Sequence, residues 1–231
     1  MRGQPGTFLY GLSRKLCRID VTGIDNLAIL EKPGPAMIIV NHASVVDVVV
    51  VVGTLHELGY TVDGPCLDTC THHRHLRPVG TSDMWNFPLA KQIVEGSGII
   101  PTDQHDGRSA YRAAREALRN GECVLIYPEG DVQVNADASP REWRAGATAL
   151  AKSTPLPIVF VAHHDTRNLG GGSVLKSILK ALTGIVRKPR IQLVIGKPVM
   201  PIELDNLSGS EVTEFLQQRL IETWQQAKAL N

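Results

Sequence analysis

Short apolar runs separated by amphipathic stretches follow one another along this chain, and their lengths sort them into strands and helices. Ala36-Met37-Ile38-Ile39-Val40, Cys123-Val124-Leu125-Ile126-Tyr127 and Leu156-Pro157-Ile158-Val159-Phe160-Val161 are continuous apolar runs, too short for helices. That is the pattern of strands covered on both faces. It predicts strands over 36–40, 122–127 and 156–162, with two more near 76–80 and 190–195. Helical spacing predicts helices near 84–95, 107–119, 141–152 and 208–228, the last opening on the capping-box pair Ser208 and Glu211. Strands alternating with helices imply an α/β class: a single-domain layered fold, its central mostly parallel or mixed sheet flanked by helices.

Two segments fit that pattern less simply. Residues 8–19 place Phe8, Leu12, Leu16 and Ile19 on one helical face, with Arg14, Lys15 and Arg18 elsewhere. An N-terminal amphipathic helix within residues 1–20 either lies on an anionic bilayer or docks on the core, and residues 21–231 form the remaining domain. Gly170-Gly171-Gly172-Ser173 followed by Lys176-Ser177 reads as a mobile loop. Leu175 stands where a phosphate loop would need glycine before its lysine.

The bulk numbers remove several classes of function. At 231 residues, one domain with a sizeable core is the default. A formal charge of +1 gives no general pull toward nucleic acid, and 5% aromatic residues argue against base-stacking surfaces. Cys17, Cys66, Cys70 and Cys123 read as reduced thiols, because no signal peptide precedes them. The longest apolar stretch, residues 36–52, is interrupted by Asn41, His42, Ser44 and Asp47, so it does not span a membrane.

The chemistry concentrates in Asn41-His42-Ala43-Ser44-Val45-Val46-Asp47, directly after the first strand. The end of a strand is where α/β folds place their polar sites. A histidine and an aspartate with four residues between them point to a general base oriented by a carboxylate. The stretch also resembles the first motif of the glycerolipid acyltransferases, the family that contains lysophosphatidate acyltransferase. Further blocks follow in order. Gly98-Ile99-Ile100-Pro101-Thr102-Asp103 is similar to the second motif, and Tyr127-Pro128-Glu129-Gly130 to the third. Arg144-Ala145-Gly146-Ala147 resembles a basic helix start, and the proline-led strand from Leu156 resembles the fourth motif. The resemblance covers about residues 21–201.

The resemblance implies an acyltransferase that moves a fatty acyl group from a thioester to a hydroxyl of a lysophospholipid-like lipid. The thioester is that of acyl-coenzyme A or acyl carrier protein, and no cofactor is needed. His42 would be the base and Asp47 its orienting partner. Asn41, Ser44, Gln104, Glu129, Gly130 and Asp131 would lie at the acceptor, with Arg108 and Arg144 as phosphate or coenzyme A contacts. The setting would be cytoplasmic, peripheral at the inner face of a membrane. The resemblance also calls for a helix from His42, capped by Ser44, although seven valines in the eight positions Val45–Val52 favour a strand by propensity. Burial on all sides can override the mild helix penalty of valine.

This chain departs from the family where phosphate is held. Gln104 and Val132 stand where the second and third motifs carry arginine, Asp131 adds a negative charge, and Thr81 aligns with an upstream lysine. Arginine binds phosphate through paired charge-assisted hydrogen bonds that glutamine and valine cannot supply. An acceptor without a phosphate monoester, such as a glycolipid, an aminolipid or a secondary metabolite, is therefore one alternative. Another is a hydrolase using the same pair, although no Gly-x-Ser-x-Gly elbow occurs. Cys66, Cys70, His72, His73 and His75 are eligible zinc ligands, but their spacing matches no finger and they are expected to hold no metal. Arg108, Arg112, Arg115 and Arg119 form a stripe along one helix face, either solvated or set against anionic groups.

Overall fold

The computed structural model describes residues 5–30, 34–44, 46–62, 74–81, 98–102, 107–130, 132, 139–140, 142–164, 166–170 and 174–230. In chain order, α1 (Pro5–Leu16) and β1 (Arg18–Thr22) precede β2 (Met37–Val40), α2 (Asp47–Glu57) and β3 (Tyr60–Thr61). Next come β4 (Arg74–Thr81), β5 (Ile100–Thr102), α3 (Gly107–Arg119), β6 (Cys123–Ile126) and α4 (Ala145–Ser153). The chain closes with β7 (Ile158–His164), α5 (Val174–Arg187), β8 (Arg190–Ile195) and α6 (Gly209–Ala229). These strands form one mixed sheet in the order β1-β8-β7-β2-β6-β4-β3, with β5 beside β4. β7 and β8 pair antiparallel, and the other neighbours pair parallel.

The continuous apolar runs are explained by helices on both faces of the sheet. Met37 and Ile39 of β2 point with Phe160 and Ala162 of β7 into one core, which is closed by Ala114 and Leu118 of α3, Leu150 of α4 and Leu216 and Leu220 of α6. Ile38 and Val40, with Val159 and Val161, point the other way onto Val51, Val52 and Leu55 of α2. The side-chain alternation of a strand thus feeds two cores at once. Burial also decides the valine segment: Val50 and Val51 are fully buried, and the run folds as helix despite its strand propensity.

Several predicted boundaries shift for identifiable reasons. α2 starts at Asp47, not His42, because the Ala43 and Ser44 N–H groups turn back onto the Asp47 carboxylate at 2.6 and 2.7 Å. Ser44 does not cap the helix; its hydroxyl accepts from the Val46 N–H at 3.2 Å within that turn. The N-terminal helix stops at Leu16, and Ile19 belongs to β1, which pairs with β8. α4 starts at Ala145, four residues later than predicted, because the Arg144 N–H bonds Pro128 O at 2.9 Å and holds the preceding chain extended. Residues 174–177, read as loop, are the first turn of α5. The capping box is present, with Ser208 N–H on Glu211 Oε2 at 2.7 Å. The predicted helix near 84–95, the glycines 171–172, and Cys66, Cys70, His72 and His73 lie outside the described residues. His75 sits on β4 with its Nδ1 on the Glu122 carboxylate. Burial pushes the Cys17 thiol up to about 12 and also raises Cys123, so both stay protonated at neutral pH.

α1 packs on α2 through a backbone-level contact. A Cβ at Gly53 would stand 2.8 Å from both Leu9 O and Ser13 Oγ. Gly53→Val is expected to lower unfolding free energy by roughly 1–3 kcal/mol in urea titrations, as overpacking does. Gly11→Ala, on α1, meets open space and is expected to raise it by about 0.5–1 kcal/mol.

Candidate active site

The sheet brings three loop regions together at the C-terminal ends of β2, β6 and β7. β2 delivers Asn41 and His42, β6 delivers Tyr127 to Gly130, and β7 delivers His163 with Thr166 just beyond. The first turn of α2 adds Asp47. The carboxylate is fully buried, whereas the His42 side chain is 17% exposed, so the ring can be reached from outside while its partner cannot.

His42 Nδ1 lies 3.1 Å from Asp47 Oδ2. A carboxylate oxygen only accepts, so Nδ1 carries the hydrogen and Nε2 keeps its lone pair. The Tyr127 ring holds one face of the imidazole, with centroids 4.5 Å apart and planes tilted by 35°. The His42 N–H donates to Glu129 Oε1 at 2.9 Å. Glu129 is itself buried, so it ties the β6 loop to the end of β2. Gly130 has φ +76, and a Cβ there would run into the Arg144 side chain that covers it. The left-handed backbone at that spot favours glycine.

A second histidine lies beneath the pair. His163 is fully buried, and its Nε2–H donates to Asn41 O at 2.8 Å and stands 3.5 Å from Asp47 Oδ2. Its Nδ1 therefore accepts from the Thr166 hydroxyl, at 3.2 Å. The Asn41 side chain bridges to the His163 backbone in both directions, Nδ2 to O at 3.2 Å and N–H to Oδ1 at 2.9 Å. Burial holds His163 below the usual histidine range and therefore neutral. Burial pushes the Asp47 carboxyl up, but the imidazoles of His163 and His42 outweigh it and hold it below the usual carboxylate range. Burial keeps the Tyr127 phenol well above its ordinary value, so it is a neutral group beside the ring.

His42 and Tyr127 border a cavity of about 240 Å³ that runs between the sheet and helices α3 and α4. Its walls are largely apolar, with Val79, Ala110, Ala114, Ile126 and Leu150, and Arg144 and Gly146 lie at the start of α4. An imidazole lone pair beside a lined apolar cavity can take a proton from a hydroxyl brought there.

The expected residues fall into three groups. His42, Asp47, Glu129, Gly130 and Arg144 come together. Asn41 and Ser44 are buried and bonded within the protein, supporting the loop from behind. Arg108 is exposed on the first turn of α3, next to the cavity-lining Gly107. Gln104 and Asp131 lie outside the described residues. His163 and Thr166 went unread, although a histidine pair just after a predicted strand carries the same signal that singled out His42.

Comparison with known proteins gives the family and the fold. Residues 18–164, more than half of the chain, match the family model described as Acyltransferase. The chain belongs to the acyltransferase family. It is similar to a protein of Mycoplasma pneumoniae named probable 1-acyl-sn-glycerol-3-phosphate acyltransferase, with 20% identity over 219 residues, 95% of this chain and 74% of that one. Its fold matches the crystal structure of the 1-acyl-sn-glycerophosphate (LPA) acyltransferase PlsC from Thermotoga maritima, with a TM-score of 0.68 and 16% identity. That match covers 97% of this chain and 79% of the other.

His42→Ala is expected to reduce acyl transfer by roughly 10²–10⁴-fold with unchanged thermal melting. Asp47→Asn should likewise cripple turnover by disfavouring the tautomer with hydrogen on Nδ1. Near-normal turnover in either variant, at unchanged stability, rejects the pair. His163→Ala strands Asn41 O and the Thr166 hydroxyl inside the core, and is expected to cost about 1–3 kcal/mol in denaturant unfolding.

Proposed function

We propose that the protein is an O-acyltransferase carrying a fatty acyl group from a coenzyme A or acyl-carrier-protein thioester to a hydroxyl of a lysophospholipid-like acceptor. The single observation that carries the reading is the placement of His42: Nδ1 held by Asp47, the ring open to solvent and bordering the apolar cavity. His42 Nε2 takes the proton as the acceptor oxygen attacks the thioester carbonyl. Asp47 steadies the imidazolium that forms. Collapse of the tetrahedral intermediate breaks the C–S bond, and the thiolate recovers the proton from His42. The cavity between the sheet, α3 and α4 takes the acyl chain, since its walls offer apolar contact next to the reacting carbonyl. In this reading the lipid acceptor is met at the inner face of a cytoplasmic membrane; no helix among the described residues is long and apolar enough to cross one.

Val132, where the third motif carries arginine, is half-buried and apolar. Arg144 is a cation at the cavity mouth, beside Gly130. We assign recognition of the acceptor to features other than a phosphate monoester. Losing two charge-assisted contacts at about 1.5–3 kcal/mol each weakens lysophosphatidate use by roughly 10²–10⁴-fold. Thiol release from acyl-coenzyme A, with product analysis across lyso-lipids with and without a terminal phosphate, tests this. Phosphate-free acceptors are expected to serve at least as well, yielding acylated lipid. Free fatty acid as the sole product points to a hydrolase. A preference for lysophosphatidate that Arg144→Ala abolishes means that the phosphate contact has moved to α4.

A further inference from the structure

Much of the apolar side of α1 is taken up by the core, and Phe8, 53% exposed, remains at the surface. Leu9, Ser13 and Leu16 are buried, and a Cβ on Gly184 of α5 would come within 2.8 Å of Leu16 O. The helix is wedged between α2 and α5, and a second surface with exposed apolar side chains lies at the end of α5.

One corner of the molecule combines exposed apolar side chains with clustered cations. At the end of α5, Val186 is 87% exposed and Ile185 is 47% exposed, although isolated surface valines of this degree need no explanation by themselves. Here they adjoin Arg187, Lys188 and Arg190, all exposed, and Arg18, whose N–H bonds Pro189 O at 2.9 Å. Lys15 is exposed one residue before the Leu16–Gly184 contact, and Asp20 pairs with Arg190.

The strand register fixes where this corner lies. β7 and β8 run antiparallel, with His163 opposite Leu193 and His164 opposite Gln192. Arg190 is therefore beyond the end of β7 that carries His163, and Arg18 pairs with Arg190 across β1. Val40 sits opposite Val161, so His42 leaves the sheet at that same end. The basic, apolar corner and the candidate catalytic pair emerge from one end of the sheet.

Lys188 supplies an independent sign. Its φ is +41, and its N–H closes the last turn of α5 on Gly184 O at 2.7 Å. That helix-terminating position favours glycine. A lysine there accepts left-handed strain, and such outliers persist where the side chain is used.

We propose that the corner built from Ile185 to Arg190, with Arg18 and Lys15 beside it, is the surface on which the protein rests on an anionic lipid bilayer. Ile185 and Val186 enter the headgroup boundary and the cations meet lipid phosphates, which sets the mouth of the site toward the layer that holds the acceptor. The inference deepens the lipid-acyltransfer reading, and rests on it for choosing a bilayer over another partner.

Co-sedimentation of the full chain with phosphatidylglycerol–phosphatidylcholine vesicles, and with phosphatidylcholine alone, tests the surface without any substrate. The combined variant Val186→Ser, Arg187→Gln and Lys188→Gly is expected to bind the anionic vesicles on the order of 100-fold more weakly. Lys188→Gly alone should weaken binding about fivefold while leaving thermal melting unchanged or higher, since glycine relaxes that position. Thiol release with detergent-dispersed acceptor should persist in both. Vesicle binding unaffected by the combined variant overturns the proposal, as does failure of the unaltered protein to prefer anionic vesicles. A change of mass in solution with the same variant, by light scattering, also overturns it, assigning the corner to a second copy of the chain. If vesicle binding depends on the corner but no acyl transfer occurs with any acceptor, the surface stands and the activity reading falls.

Discussion

A carboxylate shut away from water organises this protein. Burying an ionised group costs several kcal/mol unless hydrogen bonds and opposite charge compensate it. For Asp47 the compensation comes from the Ala43 and Ser44 N–H groups, the His42 ring and the nearby His163. Three of these partners come from the turn after β2 and the fourth from β7. Gathering these groups on Asp47 Oδ2 therefore fixes the turn after β2, the start of α2, the tautomer of His42 and the approach of β7 together.

The loops around that carboxylate are held by further ties that cross between strands. Glu129 accepts from the His42 N–H, the Arg144 N–H bonds Pro128 O, and Asn41 bonds the His163 backbone in both directions. Such bonds between sequence-distant loops give the site its rigidity, and orientation of a base within tenths of an ångström is what acyl transfer requires. Apart from His163 on β7, the surrounding strands serve as scaffold. Buried on both faces by helices, the sheet is the frame that sets the spacing of the three loops.

A large part of this was legible in the residues. Continuous apolar runs announced strands covered on both sides, and the structure places β2, β6 and β7 within two residues of them. The paired histidine and aspartate were visible because the whole constellation lies within one turn of chain. Tyr127, Glu129 and Gly130 were visible because they follow a strand in a recognisable block. His163 was not, since its meaning depends on which strand lies beside β2, and pairing between residues 122 positions apart leaves no local mark.

The sequence by itself determined the class of fold, the order of its elements and the residues able to act as base and orienting acid, because hydrophobic period and short-range spacing are local properties. Only the tertiary structure decided how those residues are used. Local propensity drew the valine run toward strand, and burial of Val50 and Val51 sustains the helix. Ser44 and Asn41 became supports because the nearest unsatisfied groups, the Val46 N–H and the His163 backbone, claimed them. The residues after α5 gained their place beside the site from the antiparallel register of β8. Contacts across the sheet are settled by the competition of all buried polar groups for partners, and that competition exists only once the chain is packed.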